Sequence, residues 1–235
     1  MISIVITSFK GKHYSIPIHG FAKDSKFKLL SQNKNKLVLC LEDSAETREI
    51  YPFSFSLNVS FLLVRNKLIV SYEVSNNGED TMYFSIGSHP GINLPKEKGN
   101  LSDYYLKFEK NENLKRYSII NGLLSDYGVD YLNDKKVINL SKTIFDEDAL
   151  IFKNVMSRKI NLQNNGGDYK IQFDLGDSPH LGIWSKPGAP YVCIEPWNGY
   201  DDSESSSGKI EEKEGILKIE KGNKFVTHYS IEFVT

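Results

Sequence analysis

The chain has 235 residues, 40% hydrophobic and 25% charged, with a formal net charge of -1, the balance of a soluble globular protein that buries roughly 70–75% of its unfolded surface in one core. Near-neutral charge with dispersed basic residues excludes the electrostatic footprint of a nucleic-acid or acidic-membrane binder. No apolar window reaches membrane-spanning length, "MISIVI" lacks the flanks of a signal peptide, and Cys40 and Cys193, each inside an apolar run, read as buried thiols in a reducing, cytoplasmic compartment.

Period-2 alternation dominates the chain, and "NKLVLCL" reads as a strand. In "FSFSLNVSFLLV" Phe53, Phe55, Leu57, Val59, Phe61 and Leu63 alternate with Ser54, Ser56, Asn58 and Ser60, the pattern of a long half-buried strand. After Arg65-Asn66, "KLIVSYEV" sets Leu68, Val70, Tyr72 and Val74 on one side as a hairpin partner, and "SNNGED" turns the chain into "TMYFSI". Further strands are expected at "YYLKFE", "RKINLQ", "YKIQFDL", "HLGIWS", "APYVCIE" and "NKFVTHYSIEF", with Asn164-Asn165-Gly166-Gly167 a hairpin turn. No long segment has helical periodicity and nothing alternates as βαβ. The class is therefore all-β and mostly antiparallel, a large twisted sandwich in one domain over 1–235. The polar, acidic stretch "NGYDDSESSSGKIEEKEG" reads as a solvated loop or as a rim beside a site.

The chemistry-bearing residues are few. Phosphate-cradling glycine loops, HExxH, paired CxxC and GxSxG are missing from the sequence. Of His13, His19, His89, His180 and His228, none stands at metal-ligand spacing to another, so no metal is expected. His13, in a polar turn, and His228, in the last strand, read as surface residues. His89 in "FSIGSHPGINLP" follows a strand and is fixed by Pro90 and Gly91; it either satisfies loop backbone or is presented for function, and His19 in "IPIHGFAKD" poses the same choice. In "APYVCIEPWNG" alternation turns Val192 and Ile194 to one face and Tyr191, Cys193 and Glu195 to the other. A carboxylate there needs a structural partner or a catalytic use, because its desolvation is costly.

Three segments in order, "IHGFAKDSKF", "YFSIGSHPGINLP" and "APYVCIEPWNGYDD", supported by "ETREIYPFSFSLNVSF", "IFDEDALIF" and the closing "EEKEGILKIEKGNKFVTHYSIEF", resemble the aldose 1-epimerase (galactose mutarotase-like) superfamily, LacX-like branch, over nearly the whole chain. The resemblance implies a β-supersandwich with a sugar-binding groove. It implies Glu195 as general base, His89 as general acid, His19 and Asp148 as substrate ligands, and no cofactor. Trp184 and Trp197 would stack on the sugar or serve as core aromatics. Members of the family usually carry further strands and an arginine before the HG motif. An exposed sheet edge near residues 1–20 is therefore expected, leading to a homodimer or to weak activity.

Interconverting pyranose anomers requires a proton to leave O1 while another reaches the ring oxygen, so one base and one acid suffice. Glu195 and His89, both taken to stand at strand ends, are expected on one groove, a pyranose width apart. Two alternatives remain: a sugar-binding or sensing protein, and a hexose-6-phosphate 1-epimerase. The second is disfavoured by having only Arg48, Arg65, Arg116 and Arg158 to clamp a phosphate.

Overall fold

The computed structural model describes residues 4–234. Fourteen strands form one sheet in which every strand pair is antiparallel. Its spatial order begins at the edge strand Lys28–Gln32 and runs through Lys36–Glu42, Phe55–Val64, Lys67–Asn76 and Lys224–Phe233. It continues through Lys170–Asp174, Lys159–Asn164, Tyr104–Tyr117, Leu150–Phe152, His180–Trp184 and Tyr191–Asn198 to Ile86–Gly87. Val129–Asn139 adds to Tyr104–Tyr117, and Gly91–Asn93 adds to Tyr191–Asn198. The mostly antiparallel all-β class expected from the alternation is the observed one.

The pattern of side chains explains the layers. In Phe55–Val64 the odd residues Phe55, Leu57 and Val59 are buried, and each sits opposite a residue of Lys67–Asn76 in a continuous ladder from Phe55↔Asn76 to Val64↔Lys67. The turn between them is closed by Arg65 in the left-handed region, φ 56°. Alternation does not persist to the strand end: Leu63 is exposed, because the strand runs past the edge of the core. One apolar cluster draws on Leu41, Phe53, Val70, Phe108, Phe173, Ile194 and Ile231, so strands from both ends of the sequence close over the same core. The single short α-helix among the described residues, Ala45–Ile50, starts at a capping box between Ser44 and Thr47. No helix of the described residues is long and apolar enough to cross a membrane.

The N-terminal expectation needs correction. Ile4–Phe9 and Lys12–Pro17 pair with each other as a separate two-stranded sheet, and Ser8 N–H donates to Gly208 C=O at 2.7 Å. Residues 4–17 are thus not an edge of the large sheet; the fully exposed edge strand is Lys28–Gln32. The acidic segment after Asn198 is neither a free loop nor a strand. It is packed through buried Asp202 and Ile210 and includes a 3-10 turn at Ile210–Glu212. Cys40 and Cys193 are free and buried, and His13 and His228 are exposed.

Candidate active site

The site is built on one face of four adjacent strand segments. Tyr191–Asn198 pairs with His180–Trp184 on one side, with Gly182 opposite Glu195. On the other side it pairs with Ile86–Gly87 and Gly91–Asn93, with Gly87 opposite Trp197 and Gly91 opposite Cys193. The register is the same on both sides of the interruption at residues 88–90, so His89 falls opposite Glu195. Pro90 has no N–H to give the ladder, yet its carbonyl accepts from Ile194 N–H at 3.4 Å, and Ser88 N–H donates to Pro196 C=O at 3.1 Å. Residues directly opposite in an antiparallel pair project to the same face. Three rows result: His180, Trp197 and Gly87; Gly182, Glu195 and His89; Trp184, Cys193 and Gly91.

The glycines are what make room. A Cβ on Gly182 would lie 2.5 Å from Cζ2 of Trp197, and one on Gly87 would lie 2.6 Å from its Cδ1. The Trp197 indole therefore lies across both bare positions, where any larger residue would collide with it. Trp184 stands edge-on to the His89 ring, centroids 5.9 Å apart, and His19 does the same at 6.0 Å. His19 reaches this point because Pro17–Gly20 forms a tight turn closed by Gly20 N–H to Pro17 C=O at 2.8 Å, with His19 itself at φ 65°. A cavity of about 490 Å³ opens here, lined by His89, Gly91, Asn93, Trp184, Pro190, Tyr191 and Cys193. A larger depression of about 660 Å³ lies between the turns at 75–79 and 221–224. It offers neither an aromatic wall nor a histidine, and we assign the chemistry to the smaller one.

Glu195 lies against His89 of this groove, but not as expected. Glu195 lies inside its strand rather than at the end, and its Oε1 is 3.2 Å from His89 Nδ1. The two groups touch instead of flanking a sugar ring, because cross-strand neighbours stand about 4.5–5.5 Å apart at Cβ. Glu195 is 4% exposed, whereas 45% of the His89 side chain is open. Burial pushes the Glu195 carboxyl up to about 8; a hydrogen bond with Trp197 opposes this and the charge of Asp148 adds to it. Burial, then the neighbouring His19, lowers His89. The two shifts together favour a neutral carboxyl beside a neutral imidazole.

Asp148 is exposed and close enough for its charge to act on Glu195. It occupies a left-handed position, φ 75°, where Ala149 N–H donates to its Oδ1 at 2.8 Å. Arg116, not singled out from the sequence, holds this loop: its Nη2 donates to the Glu147 carbonyl at 2.8 Å. Of the residues expected for the site, His89 and Trp184 line the cavity, Glu195 and His19 lie against His89, Trp197 covers Gly182 and Gly87, and Asp148 acts on Glu195 through its charge. Behind Trp197, Lys153 lies over the rings of Tyr117 at 4.4 Å and Tyr200 at 4.2 Å and pairs with Glu214 at 2.9 Å. This clamp ties the acidic segment to the back of the site.

Residues 2–215 match the family model described as Aldose 1-epimerase. The chain belongs to the aldose 1-epimerase family. Within it the chain is LacX-like: it is 28% identical over 207 residues to the plasmid and chromosomal LacX proteins of Lactococcus lactis subsp. lactis, covering 86% of this chain and 69% of theirs. The X-ray structure of a galactose mutarotase related enzyme from Lactobacillus acidophilus superposes with a TM-score of 0.92 at 32% identity, covering 98% of this chain and 78% of that one. A galactose mutarotase-like protein from Lactobacillus casei ATCC 334 gives 0.86 at 26%, over 97% and 80%.

Proposed function

We propose that the protein is an aldose 1-epimerase that interconverts the α and β anomers of a free hexose, with Glu195 and His89 as the acid–base pair. The observation that carries this reading is the 3.2 Å contact between a buried carboxyl and a half-exposed imidazole beside the tryptophan-walled groove. Moving the shared proton from the carboxyl to Nδ1 creates a carboxylate base and an imidazolium acid in one step. Glu195 then takes the proton from O1 while His89 gives its Nε2 proton to the ring oxygen, and the ring opens. C1 rotates, and reversal of both transfers closes the ring as the other anomer. One proton stays on the pair throughout, so no cofactor is needed for the balance. His19 and Asp148 would bind hydroxyls and Trp184 would pack against the sugar face. Trp197, lying over Gly182 and Gly87, would help hold Glu195 in place through its hydrogen bond.

A free sugar is favoured over a sugar phosphate by what three of the four arginines already do. Arg116 holds the Glu147 carbonyl, Arg158 holds the carbonyls of Gly176 and Ser178, and Arg48 pairs with Asp43. Free, buried thiols at Cys40 and Cys193 support a reducing, cytoplasmic setting. Polarimetry on freshly dissolved single anomers of common aldoses and of a hexose 6-phosphate tests the proposal. At least one free aldose should reach equilibrium much faster than in buffer. A sugar that quenches tryptophan fluorescence while no aldose is accelerated would instead identify a sugar-binding protein.

A further inference from the structure

Cys193 takes no part in the proton transfers, yet it stands in the row beside Glu195. One ligand atom from each of His89, Cys193 and Glu195 lies within 4.8 Å of the other two, and His89 Nδ1 is 3.2 Å from Glu195 Oε1. We propose that these three side chains form a binding site for a thiophilic divalent cation of the Zn²⁺ class, placed so that cation and sugar exclude each other. The exclusion rests on the sugar reading above; the site itself does not.

Three features support it. Tetrahedral Zn²⁺ with bonds of about 2.0–2.3 Å keeps its ligand atoms about 3.3–3.6 Å apart, so only the longer sides of the triangle must contract, and the half-exposed His89 ring can swing to do so. A thiolate, an imidazole and a carboxylate together select Zn²⁺, Co²⁺ or Cd²⁺ over Mg²⁺ or Ca²⁺. Three protein ligands on the wall of an open groove leave a fourth position for water, the arrangement of an accessible site rather than a closed structural one. The backbone prepares this: Cys193 and Glu195 are two apart on one strand face, and Gly91 opposite Cys193 adds no side chain over the sulfur, where a Cβ would sit 3.7 Å from Sγ. Histidine spacing in the sequence does not reveal such a site, since it uses a single histidine.

Binding releases the Cys193 thiol proton and the Glu195 carboxyl proton to solvent, with no change of oxidation state. Filling the site occupies Glu195 and His89 at once, so the base and the acid are lost together.

The test is titration of the purified chain with Co²⁺ in the absence of sugar, reading the thiolate-to-cobalt charge-transfer band and the visible bands of a four-coordinate ion. The expected result is a 1:1 complex, displaced by Zn²⁺ and not by Mg²⁺, weakened at least tenfold in His89→Gln and lacking the charge-transfer band in Cys193→Ser. The chain has only two cysteines, so Cys40→Ser must keep the band, which identifies Cys193 even if Cys193→Ser does not fold. Absence of a charge-transfer band, its survival in Cys193→Ser or its loss in Cys40→Ser overturns the proposal. In the second arm, an aldose that the enzyme turns over should weaken Co²⁺ binding. A cobalt complex formed as expected but unmoved by every aldose supports the cation site and counts against its overlap with a sugar.

Discussion

Replacing Glu195 by glutamine should make the protein more stable, and increasingly so as the pH rises from 5 to 8. In the folded protein the Glu195 carboxyl keeps its proton up to about pH 8, against an ordinary value of 4.5. Below about pH 4.5 it is protonated in both states and the term is fully in place. Between 4.5 and 8 the unfolded chain has released a proton that the folded one retains, so the folded state binds more protons and loses stability as pH rises. Above about 8 both are ionised and the loss is complete. At about 1.4 kcal/mol per pH unit, the part of this window between pH 5 and 8 is worth about 3 kcal/mol. With Glu195 only 4% exposed, solvent screening takes little from it. Glutamine has the same shape and does not titrate, so the difference between the two proteins reports Glu195 together with its coupling to His89. Urea unfolding of both proteins at pH 5, 6, 7 and 8 measures it, provided the m-values agree. A difference that is flat with pH, or that shrinks toward pH 8, would refute the placement of an unionised carboxyl at this position.

Other consequences can be checked separately. Gly182→Ala places a Cβ 2.5 Å from the Trp197 ring; it should cost about 1–3 kcal/mol, shift the tryptophan emission and slow anomer exchange by roughly tenfold or more, and unchanged emission with unchanged rate would show that the indole is not held there. Asp148→Asn removes a charge that raises Glu195, so the pair should lose its last proton at lower pH and the alkaline limb of kcat/KM should move down; a limb that moves up contradicts the assignment. Arg116→Lys keeps the charge but not the geometry that holds the Glu147 carbonyl, so KM for the sugar should rise with little change in kcat, and the reverse split would place Arg116 in the chemistry instead.

Much of this molecule could be read from residues in order. Alternation in "FSFSLNVSFLLV" and its partner yields the antiparallel ladder, because a half-buried strand has to alternate, and the HGF, HP and EPW segments lead to the groove. Strand Tyr104–Tyr117 is only half legible. The charged run after Phe108 hides its continuation, since Glu112 is fully buried where its carboxylate accepts the N–H groups of Met156 and Ser157 at 3.2 and 2.6 Å. The N-terminal hairpin lies outside the expected strands, although Lys10-Gly11, both at positive φ, sits between two alternating runs as a turn signal. The contact between His89 and Glu195 depends on a register that continues across a proline, which no local pattern carries. The slot over Gly182 and Gly87 likewise arises only when two strands bring their glycines against one indole.

The central claim is that Glu195 and His89 together move the protons of anomer exchange, and magnetisation-transfer NMR on whichever aldose proves to be turned over tests it most directly. Glu195→Gln keeps the contact with His89 and removes the base. The account predicts an exchange rate lower by roughly 10²–10⁴, while the same aldose still quenches the fluorescence of Trp184 beside the groove. Equal exchange rates in the variant and the parent protein would contradict it.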